Sequence, residues 1–418
     1  MTTFLQLALL LSVILLSAKL AGYLSVRLGQ PSVLGELLVG ILLGPSVIDI
    51  LHFPFIDPAL AHTIAELGEL GVLLLMFIAG LELHLDELTR NTRVAGYGGF
   101  LGVLVPTVLG WGAGRLFGLD NTVSIFLGLT LGATSVSISA QTLMELKVLR
   151  SRVGLSLLGA AVFDDILVIL SLSIFIAISA GTGSVGGVLW ILVKMVAFLT
   201  LSVAFGWWVL PWVMRRIERL PISQGVLTLA LVVMLAYGLA AELLGGMAAI
   251  TGAFIAGLMM ARSGERERVE HGVHALAYGL FVPIFFINIG LSVNARSLQI
   301  DMLVFALIIT LVAIVGKWLG AGVGARLGGL SWRESIQLGA GMISRGEVGL
   351  IVAGVGINEG LVSSNEFSAI VVMVLVTTLV TPPILRALFA QRKKEAQPKS
   401  PGADQTTAPA NPKNEETN

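Results

Sequence analysis

There is no cysteine anywhere in this chain. That excludes disulfides, thiol nucleophiles and thiolate metal sites. Charge is scarce as well. Asp, Glu, Lys and Arg make up 12% of the residues, against about 25% in a soluble domain. The formal net charge is zero, which points to no partner, and five scattered histidines offer no metal-ligand spacing. What is abundant is apolar: 56% of the residues are hydrophobic, mean hydropathy is +0.92, and there are 49 glycines. Long apolar runs recur along the whole length, as in an all-α polytopic membrane protein. Glycine is frequent where membrane helices pack closely or break.

The first run, Phe4 to Leu24, has no Lys or Arg before it and exceeds a typical signal core. It is expected to stay as the first helix. Thirteen spans are expected, near 4–27, 32–45, 64–83, 93–117, 122–144, 153–179, 186–213, 222–243, 246–261, 273–293, 301–326, 334–357 and 365–389. The tail over 391–418 is polar, rich in Pro, Lys, Asn and Thr, and is expected to be disordered.

Loop charges orient the spans. With the N-terminus outside, the inner loops hold Arg27, Arg90, Arg93, Lys147, Arg150, Arg152, Arg215, Arg216, Arg219, Arg262, Arg266, Arg268, Arg326, Arg333, Arg386, Arg392, Lys393 and Lys394. The outer side holds Arg115 and Arg296. The positive-inside rule then places the C-terminus in the cytoplasm. An even number of spans would break this alternation.

Against that background, Phe163-Asp164-Asp165 is an anomaly. One charged Asp at the centre of a membrane helix costs about 2.5–3.5 kcal/mol on insertion scales, and here two adjacent carboxylates also repel each other. The loop boundaries place the pair at the midpoint of span six. Thr134 in span five, Lys317 in span eleven and Arg345-Gly346-Glu347 in span twelve fall at the same depth. Spans five and twelve each contain Leu-Gly-Ala followed by small polar residues, as in Leu131-Gly132-Ala133-Thr134-Ser135 and Leu338-Gly339-Ala340-Gly341. Backbone unwinds at mid-membrane only where it lines a cavity or is buried in protein. Matching interruptions in two halves suggest an inverted repeat with the substrate site between them.

These residues resemble the second branch of the monovalent cation:proton antiporters, the NapA-like and KefC-like transporters. The matching pieces are Arg27-Leu28-Gly29-Gln30-Pro31, Gly71 through Glu82, Phe163-Asp164-Asp165, Gly252-Ala253-Phe254-Ile255-Ala256-Gly257, Pro283-Ile284-Phe285-Phe286, Gly316-Lys317 and Arg345-Gly346-Glu347. The resemblance implies a NhaA/NapA-like antiporter fold, with two crossed discontinuous helices in a core that moves against a scaffold. It also implies a homodimer in the bacterial or archaeal inner membrane, surrounded by lipid. Scaffold helices are then expected over 1–92 and 221–295, core halves over 93–180 and 296–390, and a linker helix over 181–220. No nucleotide-binding domain, nucleic-acid partner, cofactor or enzymatic activity is expected. By family position, Asp165 faces the ion cavity and Asp164 pairs with Lys317.

The chemistry expected is competition. Na⁺, and with it Li⁺, wants oxygen ligands, which Asp165, Asp164, Thr134, Ser135 and freed carbonyls can supply. Protons compete for the same carboxylates, and two protons per sodium would make the exchange electrogenic. An electroneutral Na⁺(K⁺)/H⁺ or K⁺/H⁺ exchanger is the alternative. Thr134 and Ser135 fit a packing role equally well. Arg345 and Glu347 are read as neutralising each other and holding the break open. Asn288 in span ten either lines the cavity or satisfies a neighbour. Lys19 and Glu36 are expected to snorkel to the inner face. His84, His271 and His274 lie in or beside inner loops, and Lys194 has no evident partner. An intramembrane aspartyl protease needs its two Asp on different helices, which the adjacent pair does not provide. An anion carrier would show cations at the crossing without the carboxylate pair.

Overall fold

A computed structural model describes residues 1–82, 91–179, 185–219, 223–263, 265–292, 302–346 and 360–395, with Pro221 and a few residues between 348 and 356. His84, Arg90, Arg296, Glu347 and the tail from 396 onward lie outside the described residues.

Helix boundaries follow local chemistry. Helix α1 (Thr3–Arg27) starts where the Thr2 hydroxyl accepts from the Leu5 amide, and it stops at Leu28. Gly29 then takes φ +72°, a left-handed turn open to glycine at no steric cost. Pro31 precedes the short α2 (Ser32–Leu43). Next come α3 (Ala59–Leu81) and α4 (Thr92–Leu116), the latter with Pro106 inside it. Asp120 caps α5 (Asn121–Gly132), accepting from the Thr122 amide at 2.9 Å. Those backbone hydrogen bonds hold its exposed carboxyl below the usual carboxylate range.

The chain continues through α6 (Val136–Glu145), α7 (Arg152–Ser179), α8 (Val185–Trp208), α9 (Leu210–Glu218), α10 (Gly225–Ala240), α11 (Ala249–Met260), α12 (Arg266–Leu276) and α13 (Val282–Leu291). Single π turns sit at Ala241–Gly245 and Ala277–Phe281. The latter joins α12 to α13 in one membrane-length run. Then come α14 (Leu303–Leu327), α15 (Trp332–Gly341) and α16 (Ser364–Glu395). A reciprocal Ser331–Glu334 capping box starts α15. Because α16 extends to Glu395, the first residues of the expected disordered tail are helical.

Among the described residues there is no strand, and ten helical segments are long and apolar enough to cross a membrane. Ser32–Leu43 and Ala249–Met260 are shorter apolar helices. The helices pack in two groups. In one, α4 lies against α5, α7 and α14, and α14 against α15 and α16. In the other, α3 packs on α11 and α13, α2 on α1 and α13, and α10 on α11. Both groups rest on backbone-close contacts. A Cβ on Gly324 would strike the Tyr97 carbonyl of α4, and one on Gly257 would strike the Phe77 carbonyl of α3.

Candidate functional site

The helix of span five is broken: α5 ends at Gly132, Ala133–Ser135 is extended or irregular, and α6 starts at Val136. Span twelve breaks too, since α15 ends at Gly341 and Ile343–Arg345 is non-helical. The two breaks meet. The Ser135 amide donates to the Ser344 carbonyl at 2.9 Å, and the Ser139 hydroxyl donates to the Gly341 carbonyl. Main-chain groups orphaned by one break thus find partners in the other, as burial in an apolar interior demands.

Lys317 of α14 enters this crossing and is fully buried. Its Nζ donates to Asp164 Oδ1 at 2.8 Å, to Asp164 Oδ2 at 3.0 Å and to the Gly132 carbonyl at 2.8 Å. An ammonium has three donors, so all three are engaged. The carbonyl belongs to the C-terminal end of α5, where the helix dipole favours a cation. Gly102 on α4 lies beside it: a Cβ there would be 3.7 Å from Nζ, in ordinary contact. The pair expected between Asp164 and Lys317 is therefore present.

Asp165 faces elsewhere, as helical geometry requires of adjacent residues, about 100° apart. It is 8% exposed and opens on a cavity of about 10 Å³, room for about one water molecule. The cavity is walled by Met76, Val136, Leu158, Val162, Ile250 and Phe254, and the Thr251 hydroxyl donates to Asp165 Oδ2 at 3.2 Å. Met76 lies on α3 and Thr251 on α11, so this cavity sits between the two helix groups.

The remaining sequence candidates divide. Thr134 is 3% exposed, and its hydroxyl is buried without a hydrogen-bond partner; Ser344 Oγ is orphaned likewise. An unpaired buried hydroxyl costs about 1–3 kcal/mol. Ser135 Oγ shares a hydrogen bond with Ser137 Oγ at 3.0 Å. Arg345 is fully buried, with NH2 donating to the Ala313 carbonyl at 3.3 Å and NH1 directed at the Met342 carbonyl at 3.5 Å. Its expected partner Glu347 lies outside the described residues. Asn288 packs against Gly68 of α3 and is not among the residues lining the Asp165 cavity.

Glu36 and Lys194 behave differently from expectation. Glu36 is buried beside Gly22 rather than snorkelling. Lys19 is exposed and also donates to the Tyr278 carbonyl at 2.8 Å. Lys194 lies 5.7 Å from the centre of the Trp190 ring, a cation–π arrangement.

Sequence reasoning missed a second polar chain that links the helix groups. The Ser32 amide at the start of α2 donates to Glu145 Oε2 at 2.7 Å, and the Ser32 hydroxyl donates to Oε1. Gln141 Nε2 donates to Glu145 Oε1 at 2.9 Å, and the Tyr278 hydroxyl donates to Gln141 Oε1 at 2.8 Å. It also missed Thr251, although it singled out the motif starting at the next residue.

The broken, crossed helices and a buried carboxylate–lysine pair are the setting in which comparison with known proteins becomes informative. The description "Sodium/hydrogen exchanger, transmembrane" matches residues 13–391. The chain belongs to the sodium/hydrogen exchanger family. A probable Na⁺/H⁺ antiporter, GerT of Bacillus cereus, is 43% identical over 91% of this chain and 98% of its own. The Na⁺/H⁺-K⁺ antiporter GerN of Bacillus cereus is 41% identical over 92% and 96%. A Na⁺/H⁺ antiporter of Enterococcus hirae is 37% identical over 90% and 96%. The sodium proton antiporter MjNhaP1 of Methanocaldococcus jannaschii shares the fold, with TM-score 0.68 at 17% identity over 94% of this chain and 99% of that one. As an exchanger-family chain, this is a multi-pass membrane transporter, and its recognition from Asp164-Asp165, Lys317 and the two breaks holds at family level.

Proposed function

We propose that this exchanger moves Na⁺, and Li⁺ with it, against protons by alternating access, with Asp165 as the group that carries cation and proton in turn. The observation that supports this most is the division between the two carboxylates. Asp164 is held by Lys317, whereas Asp165 opens on a cavity between two helix groups. The group containing α4 to α7 and α14 to α16 is read as the moving core, and that containing α1 to α3 and α10 to α13 as the scaffold, joined by the linker α8. Thr134, with its unpaired hydroxyl, is read as a further cation ligand, and Arg345 as a structural cation of the crossing.

The fold is read as thirteen spans with an inverted repeat, the N-terminus outside and the C-terminus in the cytoplasm. On that reading, Ser32, Glu145, Gln141 and Tyr278 lie at the inner face and hold it closed, so the core must break these bonds to open inward. The transporter is read as a homodimer in the bacterial inner membrane, exchanging two protons per Na⁺ through the coupled Asp164–Lys317 and Asp165 groups. K⁺ is the alternative cargo, favoured by the name of the Bacillus cereus relative GerN.

The test is cation-dependent proton release from purified protein together with exchange in proteoliposomes. Asp165→Asn removes both, and a Na⁺, Li⁺ and K⁺ series ranks the cargo. Full exchange by Asp165→Asn would sink the assignment.

A further inference from the structure

Thr251 touches the proposed ion carrier from outside the helix group that holds it. Asp165 sits on α7, and Thr251 sits in the first turn of α11. That turn is pinned in place: a Cβ on the next residue, Gly252, would strike the Tyr237 carbonyl of α10. Further along α11, Gly257 is pressed equally closely against Phe77 of α3. Thr251 is 3% exposed, its hydroxyl is 3.2 Å from Asp165 Oδ2, and both side chains line the same small cavity.

We propose that Thr251 is a cation-binding residue of the exchange site, lending an oxygen from the stationary helix group to the cation that Asp165 carries. The inference rests on the assignment of Asp165 as that carrier. Three features support it.

First, Asp165 and Thr251 are the oxygen-bearing side chains among the described residues lining the cavity; the others are apolar. A hard monovalent cation entering there finds side-chain oxygen on these two residues. Second, the cavity is the size of about one water molecule, so a cation enters it without a hydration shell and needs replacement oxygens from the protein. Third, a hydroxyl is one donor and two acceptor lone pairs, free to rotate. It donates to Asp165 Oδ2 in this structure, and turned the other way it presents a lone pair to a cation in the cavity. Valine, its isostere, does neither.

The mechanical consequence is asymmetric. When α7 moves, Asp165 travels and Thr251 stays. The cation loses one oxygen as the site leaves the closed position, so Thr251 acts on how tightly the ion is held and not on which groups carry it across.

The test uses the full-length protein in proteoliposomes, with Na⁺- and Li⁺-driven proton movement followed by a pH-sensitive dye. Thr251→Val should raise the KM for both cations about tenfold, the equivalent of one lost polar interaction, while the maximal rate stays within about twofold. Thr251→Ser should restore the native KM. Thr251→Ala serves as a second hydroxyl deletion if the valine variant does not fold, and the same KM change is expected. Native KM in a folded hydroxyl-deletion variant overturns the proposal. So does an equal loss in Thr251→Ser, which would assign the effect to the methyl group. Asp165→Asn is run alongside. If it still exchanges, the assignment of the carrier fails; if it is silent while Thr251→Val is native, only the role of Thr251 fails.

Discussion

Lys317 and Asp164 form a two-point ion pair in which neither residue is exposed: Nζ lies 2.8 and 3.0 Å from the two carboxylate oxygens. The geometry is that of a pair that must be kept or removed whole. Taking away one member leaves a buried charge uncompensated, at a cost of about 3–5 kcal/mol, whereas replacing both by apolar groups is often neutral. Lys317→Ala should therefore lower thermal stability in detergent substantially. The double variant Lys317→Met with Asp164→Leu should regain most of it. Fluorescence-detected melting of the single and double variants checks this, and additive losses would show that the pair is not coupled.

Thr134 offers the opposite signature. Its buried hydroxyl has no partner, so Thr134→Val removes an unsatisfied group and should leave stability unchanged or raise it by about 1 kcal/mol. If that oxygen serves the cation, the KM for Na⁺ rises in the same variant. A melting curve and a transport assay on one preparation decide the matter, and a native KM would assign Thr134 to packing.

The contact between Tyr278 and Gln141 joins the two helix groups away from Asp165. The chain has no native cysteine, so the pair Gln141→Cys and Tyr278→Cys can be bridged without background. Bridging with a short bifunctional thiol reagent should stop exchange, and a reducible reagent should restore it on reduction. Exchange that continues through the bridge would mean that the groups do not separate there.

Two protons per Na⁺ moves net charge. Recordings on a solid-supported membrane should show a transient current on Na⁺ addition that reverses sign when the gradients are reversed. Asp165→Asn should abolish it. Exchange without current at any gradient would leave the electroneutral alternative.

The parts of the site that were legible in the sequence were those that violate the rules of their surroundings. Asp164, Asp165 and Lys317 are costly in an apolar run, and the small polar residues after Leu131-Gly132-Ala133 do not build a good membrane helix. What was not legible were groups that look ordinary in a membrane helix. Thr251 has a hydroxyl that a helix can satisfy from its own backbone, so nothing in Ile250-Thr251-Gly252 marks it. The Gly132 carbonyl carries no sequence signal, because every residue has one. Gln141, Glu145 and Tyr278 sit near helix ends, where polar residues are routine, and the π turn at Ala277–Phe281 follows no apolar period. Glu36 was misread for a related reason: reach to the inner face was judged from Glu36 alone, while its burial comes from a neighbouring helix, where it lies beside Gly22.

One of the three hydrogens of Lys317 is committed to a main-chain oxygen, that of Gly132. A main-chain oxygen carries no proton to exchange, so this contact does not depend on the charge of any side chain. Through it Lys317 ties α14 to the broken end of α5, while its other two bonds tie α14 to α7. Three helices of one group are thereby fastened at a single nitrogen.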